Sequence, residues 1–319
     1  MRELDSKRGK RTQNLVAESR LTLPVVIVWA VAVWIACGLL SKQLWMQFAC
    51  FGVSSFLMMV LNNVNVLIRI YSRMVSCSFL VLSCAACFLF DSMGDGIVQL
   101  CIIASYLTLF RTYQDNRSVG WTFYAFLCIG LASLVFVQIV YFLPFLWLLM
   151  SIRLNALSWR TWGASLLGLL TPYWFVSCLL VYQGDFDVLI NHILGLAQFA
   201  PLGDYSSVTL SQLLAFILVV ALALTGAVHY WRQSYNDKIR VRQLYGFFLF
   251  MNVLSVLFLV LQPQHYGVLL RLLIVNTAPL IAHFISLTRT RVTNIAFYVI
   301  VVACFALTAY HLWTSSLSF

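Results

Sequence analysis

Apolar residues occur in long continuous runs along the chain, and short polar segments separate one run from the next. Most runs are about 17–22 residues long, which is the length of helix that crosses the hydrocarbon core of a bilayer. The strands of a membrane barrel instead alternate apolar and polar residues, and the runs do not follow that alternation. The pattern therefore predicts an all-α integral membrane protein.

Nine of the predicted spans are single apolar runs, and one further tract is ambiguous. The single runs are Thr22–Leu40, Trp45–Leu61, Met74–Phe90, Ile97–Phe110, Thr161–Tyr182, Leu210–Trp231, Leu244–Leu261, Val268–Leu287 and Asn294–Trp313. The tract Gly120–Ile152 holds 33 residues, whereas one span needs ~20 and two need ~40. The bundle therefore has about eleven transmembrane helices if this tract crosses twice, or about ten if it crosses once.

The positions of the basic residues favour two crossings. If the tract turns back near Val137–Tyr141 and the N terminus is cytoplasmic, 18 of the 20 lysines and arginines lie in cytoplasmic segments. A single crossing would move the last eight of these outside, against the positive-inside rule. Pro144 suits the first turn of a returning helix. We expect a basic cytoplasmic tail over residues 1–20, one polytopic domain over residues 21–319, and a short helical hairpin at 120–152.

Composition supports this interpretation and excludes others. Hydrophobic residues make up 62% of the chain, charged residues 9%, and the mean hydropathy is +0.92, whereas a soluble domain is about 25% charged. The net charge of +10 follows from topology, so we expect no nucleic-acid partner. Cys84 and Cys87 match a CxxC motif inside a span, where cysteine acts as a small hydrophobe. We expect no cofactor and no metal site.

Acidic residues on the predicted outer side are the candidate catalytic groups. They are Asp91, Asp95, Asp185, Asp187 and Asp204. The outer loop 183–208 also has apolar residues at helical spacing, which predicts an amphipathic helix in the membrane interface. His192 shares a face of that helix with Asp185 and is a candidate for substrate binding. These side chains could bind a cation or act as a general base, or they form the solvated face of a surface helix.

The span Val268–Leu287 carries further substrate-binding candidates. Arg271 lies within it, and charged residues inside spans are costly and often functional. The guanidinium fork matches phosphate oxygens; alternatively, Arg271 extends to the outer headgroups. Asn276 follows on the same helix, and His265 lies just before it. We interpret His229, His265 and His311 otherwise as interface histidines, and His283 as lying at the inner interface.

Several spaced motifs resemble a family of bacterial multi-span inner-membrane proteins that has no assigned function. They are Asp115-x-x-x-x-Gly120, Gly130-Leu-Ala-Ser133 running to Pro144, Arg153-x-Asn155-x-x-x-x-Arg160-x-Trp162, and Leu167-Gly168-Leu-Leu-Thr-Pro172-Tyr173. The likeness covers roughly residues 60–185. It implies a location in the bacterial inner membrane and little about chemistry.

A remoter likeness is to many-span glycosyltransferases that use polyprenyl-phosphate sugars and to polysaccharide polymerases. Their many-span architecture includes a paired-helix segment similar to Gly130–Met150. The glycosyltransferases carry an essential acid in their first outer loop, whereas the corresponding loop here, Ser41-Lys42-Gln43-Leu44, has none. This departure argues against an enzyme.

We therefore predict a multi-pass protein that binds, moves or helps assemble a lipid-linked or small substrate within its helix bundle. Its expected partners are membrane lipids and a polyprenyl-phosphate-linked substrate. One alternative is an outer-leaflet glycosyltransferase or polymerase-like enzyme that uses a polyprenyl-phosphate sugar. A second alternative is a structural subunit of a membrane complex.

A reporter fusion tests the hairpin. Because two crossings return the chain to its starting side, alkaline phosphatase fused after Arg160 should be inactive and green fluorescent protein fused there should fluoresce. The same reporters fused after Asp187, in the predicted outer loop, should give the opposite pair of signals. Active phosphatase after Arg160 would mean that the tract crosses once.

Overall fold

The computed structural model describes residues 11–199, 201, 205 and 208–317. The chain is 84% helix, and the described residues form no β-strand. The α-helices are α1 (Thr12–Glu18), α2 (Thr22–Ala36), α3 (Trp45–Asn65), α4 (Met74–Ala85), α5 (Met93–Leu109), α6 (Val119–Val135), α7 (Leu143–Ile152), α8 (Trp159–Gln183), α9 (Phe186–Leu194), α10 (Leu210–Gln233), α11 (Ile239–Leu261), α12 (Tyr266–Leu287) and α13 (Arg291–Leu317). Short 3₁₀ turns extend or join several of them.

Seven helices within the described ranges are long and apolar enough to cross a membrane. They are Trp45–Asn65, Met93–Thr112, Trp159–Gln183, Leu210–Asn236, Ile239–Leu261, Pro263–Leu287 and Arg291–Thr314. Helices α1 and α2 meet at a bend of 88° and add an eighth if the pair counts as one span. The protein is therefore a helical membrane protein. This confirms the predicted fold class, but it does not confirm the predicted number of spans.

Several predicted spans are shorter as helices than as apolar runs. The predicted third span, Met74–Phe90, is a helix of 12 residues followed by the 3₁₀ turn Cys87–Asp91. The predicted first span stops being helical at Ala36. A helix of 12 residues extends only ~18 Å, well short of the ~30 Å hydrocarbon core. An apolar run marks what lies in the membrane, but the helix inside it can end earlier.

The chain divides into two compact units. The first consists of Met1–Asp91, Val208–Val256 and Leu273–Phe319, and the second of Ser92–Ser207 and Leu257–Leu272. Within the first unit, the ring of Trp34 stacks on that of Phe90 with 3.9 Å between centroids, and Phe51 packs against both. Helices α11 and α12 contribute residues to both units. The apolar stretch of Pro263–Leu287 is buried completely.

Helices α6 and α8 of the second unit approach each other through glycines. A Cβ atom on Gly168 would collide with the backbone carbonyl of Phe123, and one on Gly130 would collide with that of Leu169. Small residues allow such close approach between membrane helices. Phe123, early in α6, contacts Gly168 of α8. Gly130, later in α6, contacts Leu169 and Pro172, which follow Gly168 in α8. The two helices therefore run in the same direction.

The segment between α6 and α8 must return along them, because both helices point the same way. It consists of the 3₁₀ turn Val137–Phe142 followed by α7, which has proline in its first turn. The 17 residues of α6 extend ~26 Å, and the turn and α7 together extend ~27 Å. The amide of Gln114 donates to the carbonyl of Leu154 at 2.7 Å, and the hydroxyl of Ser158 donates to the carbonyl of Asn116 at 2.7 Å. The two flanks of tract 120–152 therefore lie side by side.

Substituting the contact glycine should separate α6 from α8. We expect Gly168→Ala to lower the free energy of unfolding by ~1–3 kcal/mol, because an added methyl group meets backbone that cannot move aside cheaply. Gly163→Ala in the same helix is the matched control, since a Cβ there meets nothing within 4 Å. It should be neutral or stabilise by up to ~1 kcal/mol. Thermal unfolding in detergent measures both, and equal effects would contradict the close contact.

Candidate functional site

Arg271 is a charged side chain in a completely buried helical stretch. The residue is 8% exposed, and its Nη1 donates to Oε1 of Gln99 at 2.9 Å. Gln99, on α5, is itself only 4% exposed. A charge that leaves water needs such partners, because an isolated ion in a low-dielectric interior costs many kcal/mol. The guanidinium is thus directed into the second unit and bonded there.

Asp95 lies one helical turn from this contact. It sits in the first turn of α5, four residues before Gln99, and its amide donates to the hydroxyl of Ser92 at 3.3 Å. Gly267 lies four residues before Arg271 on α12, and a Cβ there would collide with Oδ2 of Asp95. Residues four apart share one helix face. The two helices therefore set a carboxylate and a guanidinium one turn apart, a group that we call the Asp95–Arg271 cluster.

The other described acids of the predicted set have different surroundings. Asp91 belongs to the first unit, where Nζ of Lys42 lies 3.2 Å from its Oδ1 and both side chains are partly exposed. Asp185 precedes α9 and Asp187 lies in its first turn, and both are exposed. Asp204 lies outside the described residues. Of the described acids in the predicted set, Asp95 is the one that faces the start of α12.

Arg271 and Asn276 lie on different faces of α12. Asn276 is fully buried and belongs to the first unit, whereas Arg271 belongs to the second. At 3.6 residues per turn, positions five apart point ~140° away from each other. The ring of His265 packs against those of Phe136 and Phe258, at centroid distances of 5.1 and 6.3 Å. His265 therefore lies in an aromatic contact at the start of α12.

Helix α9 packs against the break that follows α6. Nε2 of His192 contacts the carbonyl of Ser133 at 2.9 Å, and the hydroxyl of Tyr141 donates to the carbonyl of Leu196. Nε2 of Gln138 donates to the carbonyl of Gly195 at 3.3 Å. Beside these contacts lies an apolar groove of about 670 Å³, whose lining includes Val137, Tyr173, Trp174, Leu189, Ile193 and Leu196.

The groove and the Asp95–Arg271 cluster lie at the same end of the second unit. A Cβ on Gly94, next to Asp95, would meet the side chain of Val135 at 3.0 Å. Val135 is the last residue of α6, and Val137 already lines the groove. A polar cluster with a buried cation therefore lies near an apolar surface that could hold a hydrocarbon chain.

Gln99 is the residue of this cluster that the sequence interpretation missed. Its signal was a polar side chain within the predicted fourth span, one turn after an acid. A pattern search had no way to connect it with Arg271, because the two residues are 172 positions apart. Among the described residues no group of three or more histidines, cysteines or acids could hold a metal ion.

Comparison with models of protein families, with curated proteins and with solved structures finds no match.

Removing the partner of Arg271 should destabilise the second unit. We expect Gln99→Ala to lower the free energy of unfolding by ~1.5–3 kcal/mol, because it leaves a buried charged donor without its acceptor. The double variant Gln99→Leu/Arg271→Met should lose less than the sum of its single variants, since the two side chains interact directly. The exposed Gln183→Ala on α8 serves as the control. Additive losses would contradict the contact.

Proposed function

We propose that the protein binds and moves a lipid-linked or small anionic substrate at the Asp95–Arg271 cluster. The observation that carries the proposal is the burial of Arg271 within an entirely buried stretch of helix. Arginine at such depth is expensive, and charged residues within membrane bundles commonly mark substrate pathways. A leucine or methionine would fill the same volume at far lower cost, so we assign the guanidinium to binding.

The chemistry of arginine favours phosphate or pyrophosphate as the bound group. The guanidinium presents paired N–H donors that match phosphate oxygens, and its attraction strengthens where water is excluded. Nη1 donates to Oε1 of Gln99, an uncharged amide oxygen. An anion at Arg271 would add a charge-assisted contact to this neutral one.

The apolar groove supports the lipid-linked form of the substrate. Its lining is dominated by aliphatic and aromatic side chains, and each buried CH₂ of a bound chain contributes ~0.8 kcal/mol. A polyprenyl or acyl chain in the groove would have its phosphate toward the end of the unit where Asp95 lies. The proposal thus joins one polar and one apolar contact in a single ligand.

The membrane topology is part of the same proposal. We infer a bacterial inner-membrane protein with a cytoplasmic N terminus, in which tract 120–152 passes out and back. The parallel course of α6 and α8 and the paired flanks of the tract support this arrangement. Arg111 and Arg117 before the tract, and Arg153 and Arg160 after it, would then all face the cytoplasm, as the positive-inside rule requires.

Binding and flux assays on purified protein test the proposal. Wild-type protein in proteoliposomes should bind fluorescent polyprenyl phosphate and exchange it between leaflets, and Arg271→Gln should weaken binding by about tenfold or more, because it removes a charge-assisted contact. Arg271→Lys should be intermediate, since it keeps the charge without the fork. Arg232→Gln, at an exposed position, makes the same chemical change as a control.

Two results would overturn this function. A correctly folded Arg271→Gln protein that binds and moves polyprenyl phosphate as well as the wild type would remove the role of Arg271. Wild-type protein that neither binds nor moves lipid phosphates, and that purifies with a stoichiometric protein partner, would favour a structural subunit.

The enzymatic alternative keeps one specific support, the carboxylate of Asp95 one turn from Arg271. A glycosyl-transfer enzyme needs a group that removes a proton from the acceptor. If the protein is such an enzyme, Asp95→Asn should abolish transfer from a polyprenyl-phosphate sugar while ligand binding persists. Under the proposed binding and transport function, no sugar transfer should be detectable in the wild type.

A further inference from the structure

A second polar cluster lies in the first unit and includes two histidines that sequence patterns place at span ends. His283 on α12 is completely buried, and its Nε2 lies 3.0 Å from Oδ2 of Asp237, whose side chain is 3% exposed. Oδ1 of Asp237 lies 3.9 Å from Nη1 of Arg69, whose side chain is 41% exposed. The ring of His229 on α10 faces that of His283, with 5.2 Å between centroids. Burial therefore deepens from Arg69 through Asp237 to His283.

Each imidazole of the cluster has a buried nitrogen that forms no hydrogen bond with the described residues. An ionised carboxylate only accepts hydrogen bonds, so Nε2 of His283 donates to Asp237. Nδ1 of His283 and Nε2 of His229 are buried and have no hydrogen-bond partner among the described residues. Buried polar atoms are normally bonded, and exceptions call for a specific explanation. Nδ1 of His283 is therefore a basic nitrogen in a protein interior, next to a carboxylate and facing a second imidazole.

Aromatic rings also pack against the two imidazoles. The rings of Tyr230 and Tyr245 pack against His283 at 5.9 and 4.9 Å between centroids, and Phe284 packs against His229 at 5.5 Å. The hydroxyl of Tyr230 donates to the carbonyl of Arg242 at 2.9 Å, and that of Tyr245 contacts the carbonyl of Pro279 at 3.4 Å. The charged side chains linked to His283 by contacts among the described residues are the carboxylate of Asp237 and, behind it, the guanidinium of Arg69.

A polar cavity gives this cluster a route to water. It has a volume of about 480 Å³ and is lined by Arg69, Ile70, Gln233, Ser286, Leu287, Thr288, Arg289 and Thr290. Water occupies cavities that are roomy and offer polar partners, and both conditions hold here. Arg69 lines the cavity and also contacts Asp237, and Ser286 lies one turn after His283 on α12. The cavity, the ion pair and the buried imidazole therefore form a continuous series.

We propose that His283 is a proton-binding site, which exchanges protons with the polar cavity past Arg69 and Asp237. A proton from water bonds to Nδ1 of the neutral imidazole and leaves hydroxide or a deprotonated buffer behind. The imidazolium keeps its Nε2–H donation to Asp237, which supplies the opposite charge. The ring of His229 faces the site. This inference goes beyond the proposed substrate binding, and it can be tested without any substrate.

Proton uptake has a physical consequence for the cavity. When His283 is neutral, the carboxylate of Asp237 forms an ion pair with Arg69 alone among the described residues, at 3.9 Å. A protonated His283 competes for the same carboxylate, because its Nε2 lies closer to Asp237, at 3.0 Å. The guanidinium of Arg69 is then less strongly held and available to the cavity. Proton binding at the buried end is thereby linked to the positive charge at the exposed end.

Histidine NMR on the full-length protein tests the proposal. The protein has five histidines, so ¹³C-labelled imidazoles give few signals, and His283→Gln and His229→Gln identify two of them. The His283 signal should change with pH, and the midpoint of that change is the quantity compared between variants. Asp237→Asn should lower that midpoint by about one unit or more, because the protonated form loses its counter-charge. Arg69→Gln should raise the midpoint, because without the nearby cation the carboxylate of Asp237 attracts the imidazolium of His283 more strongly.

The control and the contrary results are equally specific. His311→Gln removes a buried histidine whose Nε2 contacts the carbonyl of Ser211 at 3.2 Å, and it should leave the His283 midpoint unchanged. If Asp237→Asn fails to fold, the half-exposed Arg69→Gln provides the same test with the opposite sign. A His283 signal that does not titrate between pH 4.5 and 9, or a midpoint that Arg69→Gln leaves unchanged, would overturn the proposal.

Discussion

The cost of burying charge in a medium without water governs how this protein is organised. Helix α12 contains a stretch that is buried completely, yet it carries Arg271 and His283 among its apolar residues. Each of these side chains can stay inside only because another segment brings a polar group to it, Gln99 in one case and Asp237 in the other. The polar partners therefore constrain which segments pack against α12, more tightly than apolar contacts alone would.

Each unit meets this constraint with different chemistry. In the second unit, the buried cation bonds to a neutral amide, and the nearest described acid of the cluster is a helical turn away. A neutral acceptor therefore holds the buried guanidinium, for which an anion is the proposed ligand. In the first unit, a carboxylate joins an imidazole to an arginine. That arrangement balances charge and changes when a proton arrives, as suits a site that exchanges protons with water.

Close helix packing in the second unit has its own consequence for function. Gly130 and Gly168 let α6 and α8 approach with their backbones nearly in contact while both run in one direction. The return segment between them starts with an extended residue, Phe136, and a 3₁₀ turn. The 3₁₀ turn Gly195–Ala197, which follows α9, docks onto this irregular turn through the carbonyls of Gly195 and Leu196, which accept from Gln138 and Tyr141. The apolar groove exists because this turn, α8 and α9 meet without filling the space between them.

The sequence by itself determined that most of this protein lies in lipid, that it is helical, and where the helix in tract 120–152 breaks. Those properties depend on residues close together in the chain: continuous apolar runs require helices in lipid, and Pro144 suits a helix start. Only the tertiary structure decided that Gln99 bonds to Arg271 and that Asp237 joins His283 to Arg69, since these partners come from distant segments. It also decided that α4 ends at Ala85 within a longer apolar run. Hydrophobicity depends on each residue's own chemistry, whereas the pairing of buried polar groups depends on which helices become neighbours.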